Sequence, residues 1–227
     1  MAKLSLHDGP EAFDVSLLEA PAPARVVLFA VGGGGDPERH LPLLEALVAR
    51  GCTVVAPHFE RFTSPFPTEA QLQLRARRLR LALDVVARPE LPAVGVGHSI
   101  GATMLLALAG GQIWLGPGQP LAVSPDARVT RLVLLAPATG QFQAPGALDA
   151  VHLPIQVWAG TRDGLTPPAQ AELLARALGP RVDLRVIEGA GHFSFMDVPP
   201  PQTTEPLPDR PAFLAGLARE LGDFVTR

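Results

Sequence analysis

Short apolar runs alternate with amphipathic stretches along most of the chain. The run ARVVLFAV (24–31) is typical of a strand, and PERHLPLLEALVARG (37–51) repeats apolar residues at helical spacing. Asp36 is a candidate N-cap for that helix, Pro37 occupies its first position, and Gly51 is a candidate stop. Further strand-like runs are CTVVAP, PAVGVGH, RLVLLAPA, LPIQVWAG and VDLRVIEG. Further helices are predicted over about 68–87, after Ser99, over PPAQAELLARALG and over PDRPAFLAGLARELGDFV.

This alternation of strands and helices determines the predicted fold class. The strand-like runs are apolar throughout, as strands covered on both faces tend to be. We therefore predict an α/β protein with a doubly wound, mostly parallel sheet and helices on both faces. The length of 227 residues suits one sizeable core and is short for two, so a single domain over 1–227 is expected.

Composition and charge disfavour several classes of function. The formal net charge of −3 and the pI near 6.1 give no net attraction to nucleic acid or to an anionic membrane. The single cysteine, Cys52, excludes an internal disulfide and lies in an apolar run, which predicts a small buried side chain. The first residues lack the apolar core of a secretory signal, and no apolar run approaches bilayer-spanning length. We expect a soluble, cytoplasmic protein.

The sequence GHSIG, residues 97–101, interrupts the change from a strand-like run to a helix-like run. Ligands of doubly wound sheets bind beyond the carboxyl ends of the strands, where Ser99 is predicted to lie. Glycines on both sides allow a sharp turn that exposes the serine hydroxyl, as in the Gly-x-Ser-x-Gly nucleophile elbow. The alternative is a tight glycine turn whose serine only caps the helix. The flanking strand and helix favour Ser99 as a nucleophile.

A serine nucleophile requires a base, and the base requires an orienting acid. Among six histidines, His192 lies in GAGHFSF, just after the last strand-like run, at the same predicted edge as Ser99. The alternative for His192 is an ordinary loop histidine. Asp163 follows the run LPIQVWAG in a loop closed by Gly164. An isolated Arg-Asp-Gly is usually a turn, but the chain order Ser99, Asp163, His192 favours the acid.

These three motifs together resemble the α/β-hydrolase superfamily, from Arg25 to the C-terminus. The short form and the run HFSFMD are similar to dienelactone-hydrolase-like and acetylhydrolase-like esterases. Dienelactone hydrolases proper carry cysteine at the elbow, so Ser99 argues against that narrow lactone chemistry. The resemblance implies a serine esterase without a cofactor. The stretch between Ala136 and Leu153 is too short for a large lid domain.

The resemblance also implies an oxyanion hole of backbone N–H groups. Ile100, directly after the nucleophile, is the first expected donor. The second should come from the glycine-rich loop after Val31, where Gly33 or Gly34 is favoured. A phosphate-cradling loop is the alternative for these glycines, but no Lys-Ser/Thr pair follows and the spacing does not fit a dinucleotide site.

Two other patterns are interpreted structurally. Four arginines between 75 and 80 scatter around the predicted helix, whereas apolar residues align, so a solvated helix with one buried stripe is favoured over nucleic-acid contact. The histidines show no metal-ligand spacing, so no metal site is expected.

Without a large lid, the pocket should be comparatively open. Its expected borders are aromatic side chains and the proline-rich loop after Met196, although any phenylalanine could instead belong to the core. The aromatic candidates are Phe59, Phe62, Phe142 and Phe193. An ester with a modest apolar acyl group fits this description.

Three functional hypotheses follow. The first is a serine esterase that acts on a small-molecule ester through an acyl-enzyme. The second is a related hydrolase of a thioester, amide or carbon–carbon bond, for which the same three residues would serve. The third is a non-catalytic binding protein that keeps the fold, which an intact set of Ser99, Asp163 and His192 argues against.

Overall fold

The computed structural model describes residues 1–88 and 90–227, and in these residues ten strands and five α-helices form. The strands are β1 Ala2–Asp8, β2 Glu11–Leu18, β3 Arg25–Ala30, β4 Cys52–Pro57, β5 Ala93–His98, β6 Ile113–Gly116, β7 Gln119–Leu121, β8 Val129–Leu135, β9 Ile155–Gly160 and β10 Val182–Ile187. The helices are α1 Leu41–Val48, α2 Glu69–Val86, α3 Ile100–Leu108, α4 Pro168–Leu178 and α5 Arg210–Thr226.

Eight strands form one sheet in the order β1-β2-β4-β3-β5-β8-β9-β10. The six strands from β4 to β10 in this order are parallel, while β1 and β2 pair antiparallel at one edge. One core cluster packs α2, α3 and α4 on one face of the sheet, and another packs α1 and α5 on the other. The predicted doubly wound, mostly parallel sheet with helices on both faces is confirmed.

The hairpin of β1 and β2 is absent from the sequence prediction. Gly9 turns the chain between the two strands with φ +66°, which fits the first central position of a type II′ turn. Only alternate residues of β1 are partly covered, because it is the edge strand. A half-exposed strand has no continuous apolar run, so its signal was the alternation in KLSLH.

Side chains cap the 3-10 turn before α1 and the start of α2, and the sequence predicts the first of these caps, Asp36; α1 ends at Val48, before the predicted stop at Gly51. The Asp36 carboxylate accepts a hydrogen bond from Glu38 N at 2.9 Å, at the start of the 3-10 turn that leads into α1. Thr68 and Gln71 form a capping box that starts α2. The interpretation of the α2 arginines as solvated is wrong for Arg75 and Arg78, which are 2% and 8% exposed. Arg75 donates to two backbone carbonyls and Arg78 pairs with Asp8 and Glu11, and a helical wheel cannot reveal these partners.

The remaining connections leave the carboxyl edge of the sheet accessible. The segment between β8 and β9 contains one 3-10 turn, Gly140–Phe142, and no lid domain. The Cys52 side chain is fully buried at the start of β4, and this burial raises the pKa of its thiol. None of the described helices combines the length and the apolar character needed to cross a membrane.

Candidate active site

Ser99 occupies the single-residue turn between β5 and α3. Its backbone has φ 55° and ψ −123°, a strained conformation for a residue with a Cβ. The helix packs so closely here that a Cβ on Gly101 would lie 1.9 Å from the Ala30 carbonyl oxygen. The Ser99 side chain makes no capping hydrogen bond to α3, so the helix-cap interpretation is not supported. The turn instead directs the hydroxyl towards His192.

His192 follows β10 in a 3-10 turn over His192–Phe195. Its Nε2 atom lies 3.0 Å from Ser99 Oγ, which is hydrogen-bond distance. His98, the neighbour of Ser99, has its Nε2 atom 3.0 Å from the His192 carbonyl oxygen. The residue before the nucleophile therefore ties the elbow to the loop that carries the candidate base.

Asp163 lies in the loop after β9 and is 4% exposed. Its Oδ2 atom is 2.8 Å from His192 Nδ1, and its Oδ1 atom accepts hydrogen bonds from the N–H groups of Leu165 and Thr166. Burial alone would raise the pKa of Asp163. The hydrogen bond and charge of His192, together with hydrogen bonds from Thr166, outweigh burial and lower this pKa below its usual value. The carboxylate is thus kept ionised beside the imidazole.

Thr166 is a site residue that the sequence reasoning missed. Its hydroxyl is buried, lies 2.7 Å from Asp163 Oδ2, and lies 3.0 Å from His192 Nδ1. The sequence DGLT, in which a threonine follows an aspartate by three residues, is typical of a local turn. This pattern was the one sequence feature that indicated a contact between Thr166 and Asp163. Thr166 fixes the carboxylate on the side facing the histidine.

Three histidine rings are packed in a row behind the candidate base. The ring centroids of His40 and His98 are 5.4 Å apart, and those of His98 and His192 are 4.9 Å apart. Burial lowers the pKa of His40 to about 3, and burial with the neighbouring imidazoles lowers the pKa of His98 well below its usual value. Both inner rings are therefore neutral at pH 7, so His98 packs against His192, and His40 against His98, without adding charge.

The glycine-rich loop after β3 forms a tight turn beside Ser99. The Gly35 N–H donates to the Gly32 carbonyl at 3.1 Å, which places Gly33 and Gly34 at the centre of the turn. Among the described residues, no acceptor is bonded to the N–H groups of Gly33 or Ile100. Both residues line the cleft that contains Ser99. The Gly34 N–H likewise has no acceptor among the described residues and borders the cleft, so three free backbone donors are present near the serine.

The cleft has a volume of about 480 Å³ and opens at the carboxyl edge of the sheet. Phe62 and Phe193 line it, as do Met196 and the prolines that follow. Its lining includes Gly33, Gly34, Phe62, Ser99, Ile100, Leu165, Thr166, His192, Phe193, Met196, Pro200 and Pro201. It therefore combines the candidate nucleophile and base with apolar walls.

Two of the predicted aromatic borders lie elsewhere. Phe142 is 2% exposed and belongs to the core on the α3 face of the sheet, so its assignment to the pocket is wrong. A Cβ on Gly111 would meet the Phe142 ring at 2.9 Å, which shows how tightly the ring is packed. Phe59 lies beneath the glycine turn, where its N–H donates to the Gly35 carbonyl, and it does not line the cleft. The pocket borders therefore come from Phe62 and Phe193.

A second concavity, of about 570 Å³, lies beside α2 and the turn between β1 and β2. Its arginines are already paired: Arg77 with Asp8, Arg80 with Asp126, and Arg128 with Asp84 and Asp126. No nucleophile and base converge there among its lining residues. Across the described residues, no group of three or more His, Cys, Asp or Glu side chains is arranged to hold a metal ion.

Comparison with known proteins gives matches in structure alone. No protein-family model and no curated protein matches the sequence. A predicted CIB-like hydrolase from Thermoplasma acidophilum is 15% identical with a TM-score of 0.69, and 98% of each chain is covered. Mouse alpha/beta hydrolase domain-containing protein 10 is 15% identical with a TM-score of 0.66, covering 98% of this chain and 99% of that one.

A third similar structure is Thermogutta terrifontis esterase 2 phosphorylated by paraoxon. It is 18% identical with a TM-score of 0.65, and the match covers 97% of this chain and 92% of the esterase. At these identities the similarity concerns the fold. The chain has the α/β-hydrolase fold.

Proposed function

We propose that the protein is a serine hydrolase that cleaves carboxylic esters through a covalent acyl-enzyme. The observation that carries this proposal is the continuous hydrogen-bonded series from Ser99 through His192 to Asp163 at a strained elbow. A buried carboxylate, an imidazole and a hydroxyl in this order form the arrangement that activates a serine. A binding protein would need no such series.

In the acylation step, Ser99 Oγ attacks the ester carbonyl carbon while His192 Nε2 takes the hydroxyl proton. Asp163 accepts the Nδ1–H hydrogen bond, which fixes the tautomer and stabilises the imidazolium. Collapse of the tetrahedral intermediate breaks the bond to the alcohol oxygen, and His192 delivers its proton to that oxygen. The products are a free alcohol and acylated Ser99.

In deacylation a water molecule takes the place of the alcohol. His192 removes a proton from the water as the water oxygen attacks the acyl carbon, and then returns a proton to Ser99 Oγ. The released product is the carboxylic acid. Each proposed step uses groups of the protein and water.

The N–H groups of Ile100 and Gly33 are the proposed donors to the oxyanion formed in both steps. Both are free of acceptors among the described residues, and both border the cleft. Such donors typically contribute about 3 kcal/mol each to transition-state stabilisation, because they are oriented before charge develops.

The proposed substrate is a small ester with a modest apolar acyl group. Phe62, Phe193 and Met196 provide apolar walls, and a volume of about 480 Å³ accommodates a small ester. We expect short-chain aryl esters such as p-nitrophenyl acetate and butyrate to be hydrolysed faster than p-nitrophenyl palmitate. Thioesters, amides and carbon–carbon substrates belong in the same screen as comparisons.

A fluorophosphonate probe tests the proposal directly. Ser99 should be the modified residue in mass spectrometry, and prior treatment with paraoxon should block the modification. Ser99→Ala should abolish both labelling and ester hydrolysis while the folded structure remains. Ser194→Ala is the matched control, because Ser194 is buried and bonded to Glu205 rather than to His192.

Wild-type turnover in a clean Ser99→Ala preparation would overturn the serine mechanism. Labelling of another residue, with Ser99 untouched, would contradict the assigned nucleophile. Labelling of Ser99 without turnover of any ester, thioester or amide would contradict the proposed activity.

A further inference from the structure

Arg75, in the second turn of α2, is a buried arginine with an unusual set of partners. It is 2% exposed, and no carboxylate pairs with it in the part of the chain that the structure describes. Its Nη1 atom donates to the carbonyl oxygens of Val31 at 3.0 Å and Gly32 at 3.1 Å. Burying a charge without an opposite charge is costly. The position of Arg75 therefore suggests a role for its two hydrogen bonds.

Two aromatic rings complete the surroundings of the guanidinium. Its central carbon lies 4.5 Å from the centroid of the Phe59 ring and 4.2 Å from that of Phe62. Cations are attracted to ring faces at these distances. The Nε and Nη2 atoms of Arg75 have no hydrogen-bond partner among the described residues. Within the part of the chain that the structure describes, Arg75 therefore directs all of its hydrogen bonds at Val31 and Gly32, where the glycine-rich loop beside Ser99 begins.

Peptide geometry connects these hydrogen bonds to the oxyanion donor. The carbonyl of Gly32 and the N–H of Gly33 belong to one peptide group, and the peptides here are trans. In a planar trans peptide the carbonyl and the N–H point in opposite directions. Because the Gly32 carbonyl faces Arg75, the Gly33 N–H is directed away from Arg75. It has no acceptor among the described residues, and Gly33 lines the cleft.

The loop needs such a contact because four consecutive glycines have wide backbone freedom. A hydrogen bond from Phe62 N to the Gly33 carbonyl, at 2.9 Å, constrains the next peptide of the turn. Phe62 also packs on Arg75, so α2 and the segment after β4 hold the loop together. These contacts restrict the backbone conformation of the glycine loop before a substrate binds.

We propose that Arg75 is a positioning residue that fixes the Gly33 N–H towards the oxyanion and places a permanent positive charge behind it. The inference rests on the proposed serine hydrolase function and extends it to a residue outside the cleft. Burial lowers the pKa of Arg75 to about 10, so the side chain remains charged at pH 7. A preorganised charge and donor act on the transition state more than on the neutral ester.

Arg75→Met tests the proposal, because it keeps a long apolar side chain and removes the charge and the donors. We expect kcat for p-nitrophenyl butyrate to fall about 10- to 100-fold. This decrease is no larger than the decrease in kcat that follows removal of one oxyanion donor. KM should change by no more than about threefold, since the ground-state ester carries no oxyanion. Arg75→Lys retains the charge and should lose less.

A trifluoromethyl ketone provides the second measurement. Ser99 Oγ adds to its carbonyl carbon, His192 takes the serine proton, and the carbonyl oxygen becomes an oxyanion. Its inhibition constant should rise in parallel with the loss of kcat/KM in Arg75→Met. Amide hydrogen exchange in residues 31–36 should also become faster, because the Val31 and Gly32 carbonyls have lost their hydrogen bonds from Arg75.

Arg78→Met is the matched control. Arg78 is buried one turn further along α2, but it bonds to Glu11 at 2.8 Å and does not contact the glycine loop. Its replacement should lower stability while kcat and the inhibition constant stay within about twofold of wild type. A purely structural role for Arg75 would make the two variants behave alike.

Several results would overturn the proposal. Wild-type kcat in Arg75→Met is one, and a reduced kcat with an unchanged inhibition constant is another. If Arg75→Met does not fold, Arg75→Gln decides, because it removes the positive charge and keeps a polar side chain: kcat and inhibition constant both within twofold of wild type would contradict the proposal. Failure of the proposed function itself would appear separately, as a wild-type protein that hydrolyses no ester or as ester hydrolysis that persists in Ser99→Ala.

Discussion

At the scale of single residues, Asp163 shows how fully the candidate site is hydrogen bonded before any substrate arrives. One carboxylate oxygen faces His192 and Thr166, and the other faces the N–H groups of Leu165 and Thr166. All of these partners donate to Asp163 in the proposed mechanism. An ionised carboxylate accepts at both oxygens, whereas a carboxamide accepts at only one.

Asp163→Asn should therefore inactivate the protein while preserving its shape. The variant keeps the two backbone hydrogen bonds when its carboxamide NH₂ faces His192 Nδ1. That donor favours the tautomer with a proton on Nε2, which cannot accept the Ser99 proton. We expect kcat for a short-chain aryl ester to fall by up to about 10⁴-fold, as in comparable exchanges. Steady-state kinetics on folded protein would measure this.

Other acids near the site provide the controls. Asp149 is exposed on the segment before β9, Glu188 follows β10, and the Asp197 carboxylate accepts from Leu43 N. Their neutral variants, Asp149→Asn, Glu188→Gln and Asp197→Asn, should retain activity within a few-fold. Near-normal hydrolysis by Asp163→Asn alongside an inactive control variant would show that the acid is another residue.

The buried histidines predict a dependence of stability on pH. The pKa of His40 is about 3 in the folded protein, below its ordinary value of 6.5. Between these values the unfolded chain binds a proton at His40 and the folded protein does not. The free energy of unfolding should therefore decrease as pH falls below about 6.5, by up to about 1.4 kcal/mol per pH unit from this residue.

His40→Leu should reduce that slope by up to about one proton, because the variant has no imidazole at this position to bind a proton in the unfolded chain. Urea unfolding between pH 5 and 6.5 would measure the difference between the variant and wild type. The remaining slope includes His58 and His98, whose pKa values are also lowered by burial. Identical slopes in both proteins would mean that His40 is protonated in the folded state.

At the scale of elements, the close approach of α3 to β3 sets the elbow geometry. Gly101→Ala would place a methyl group 1.9 Å from the Ala30 carbonyl oxygen, so the helix or the strand must move. We expect a loss of about 3 kcal/mol in unfolding free energy, together with a lower kcat, because Ala30 leads into the glycine loop. Denaturant unfolding and ester kinetics would measure both.

Gly140→Ala is the control for that substitution. Gly140 is exposed, and an added Cβ would meet no atom within 4 Å. Its unfolding free energy should stay within about 0.5 kcal/mol of wild type. Equal stability of the two alanine variants would show that α3 can move away from β3 without cost.

The sequence predicted the elements that carry apolar runs and the residues whose chemistry depends on chain order. The parallel strands, Ser99 and the helix after it were all evident from local pattern. The β1–β2 hairpin was missed because an edge strand is only half covered. The burial of Arg75 was not predicted, because a helical wheel shows only the direction of a side chain on its own helix. The carbonyl and aromatic partners of Arg75 lie on other segments of the chain. Phe142 was misassigned for the same reason.

At the scale of the whole molecule, the proposed chemistry uses only groups that the folded chain provides. Exhaustive treatment with EDTA should leave ester hydrolysis unchanged, because each proposed step uses Ser99, His192, Asp163, backbone N–H groups and water. The measurement is kcat/KM before and after chelation. A loss of activity that added zinc or manganese restores would contradict the proposed mechanism.

The arrangement of loops on separate strands also has a consequence for folding kinetics. Ser99 and His192 are 93 positions apart in the chain, yet they are brought within hydrogen-bond distance by β5 and β10. Contacts between such distant segments form slowly, because long loops must close first, whereas single helices form within about a microsecond. During refolding, helical circular dichroism should therefore recover before ester hydrolysis. Recovery of activity would show when β10, which precedes His192 at one edge of the sheet, has paired with β9.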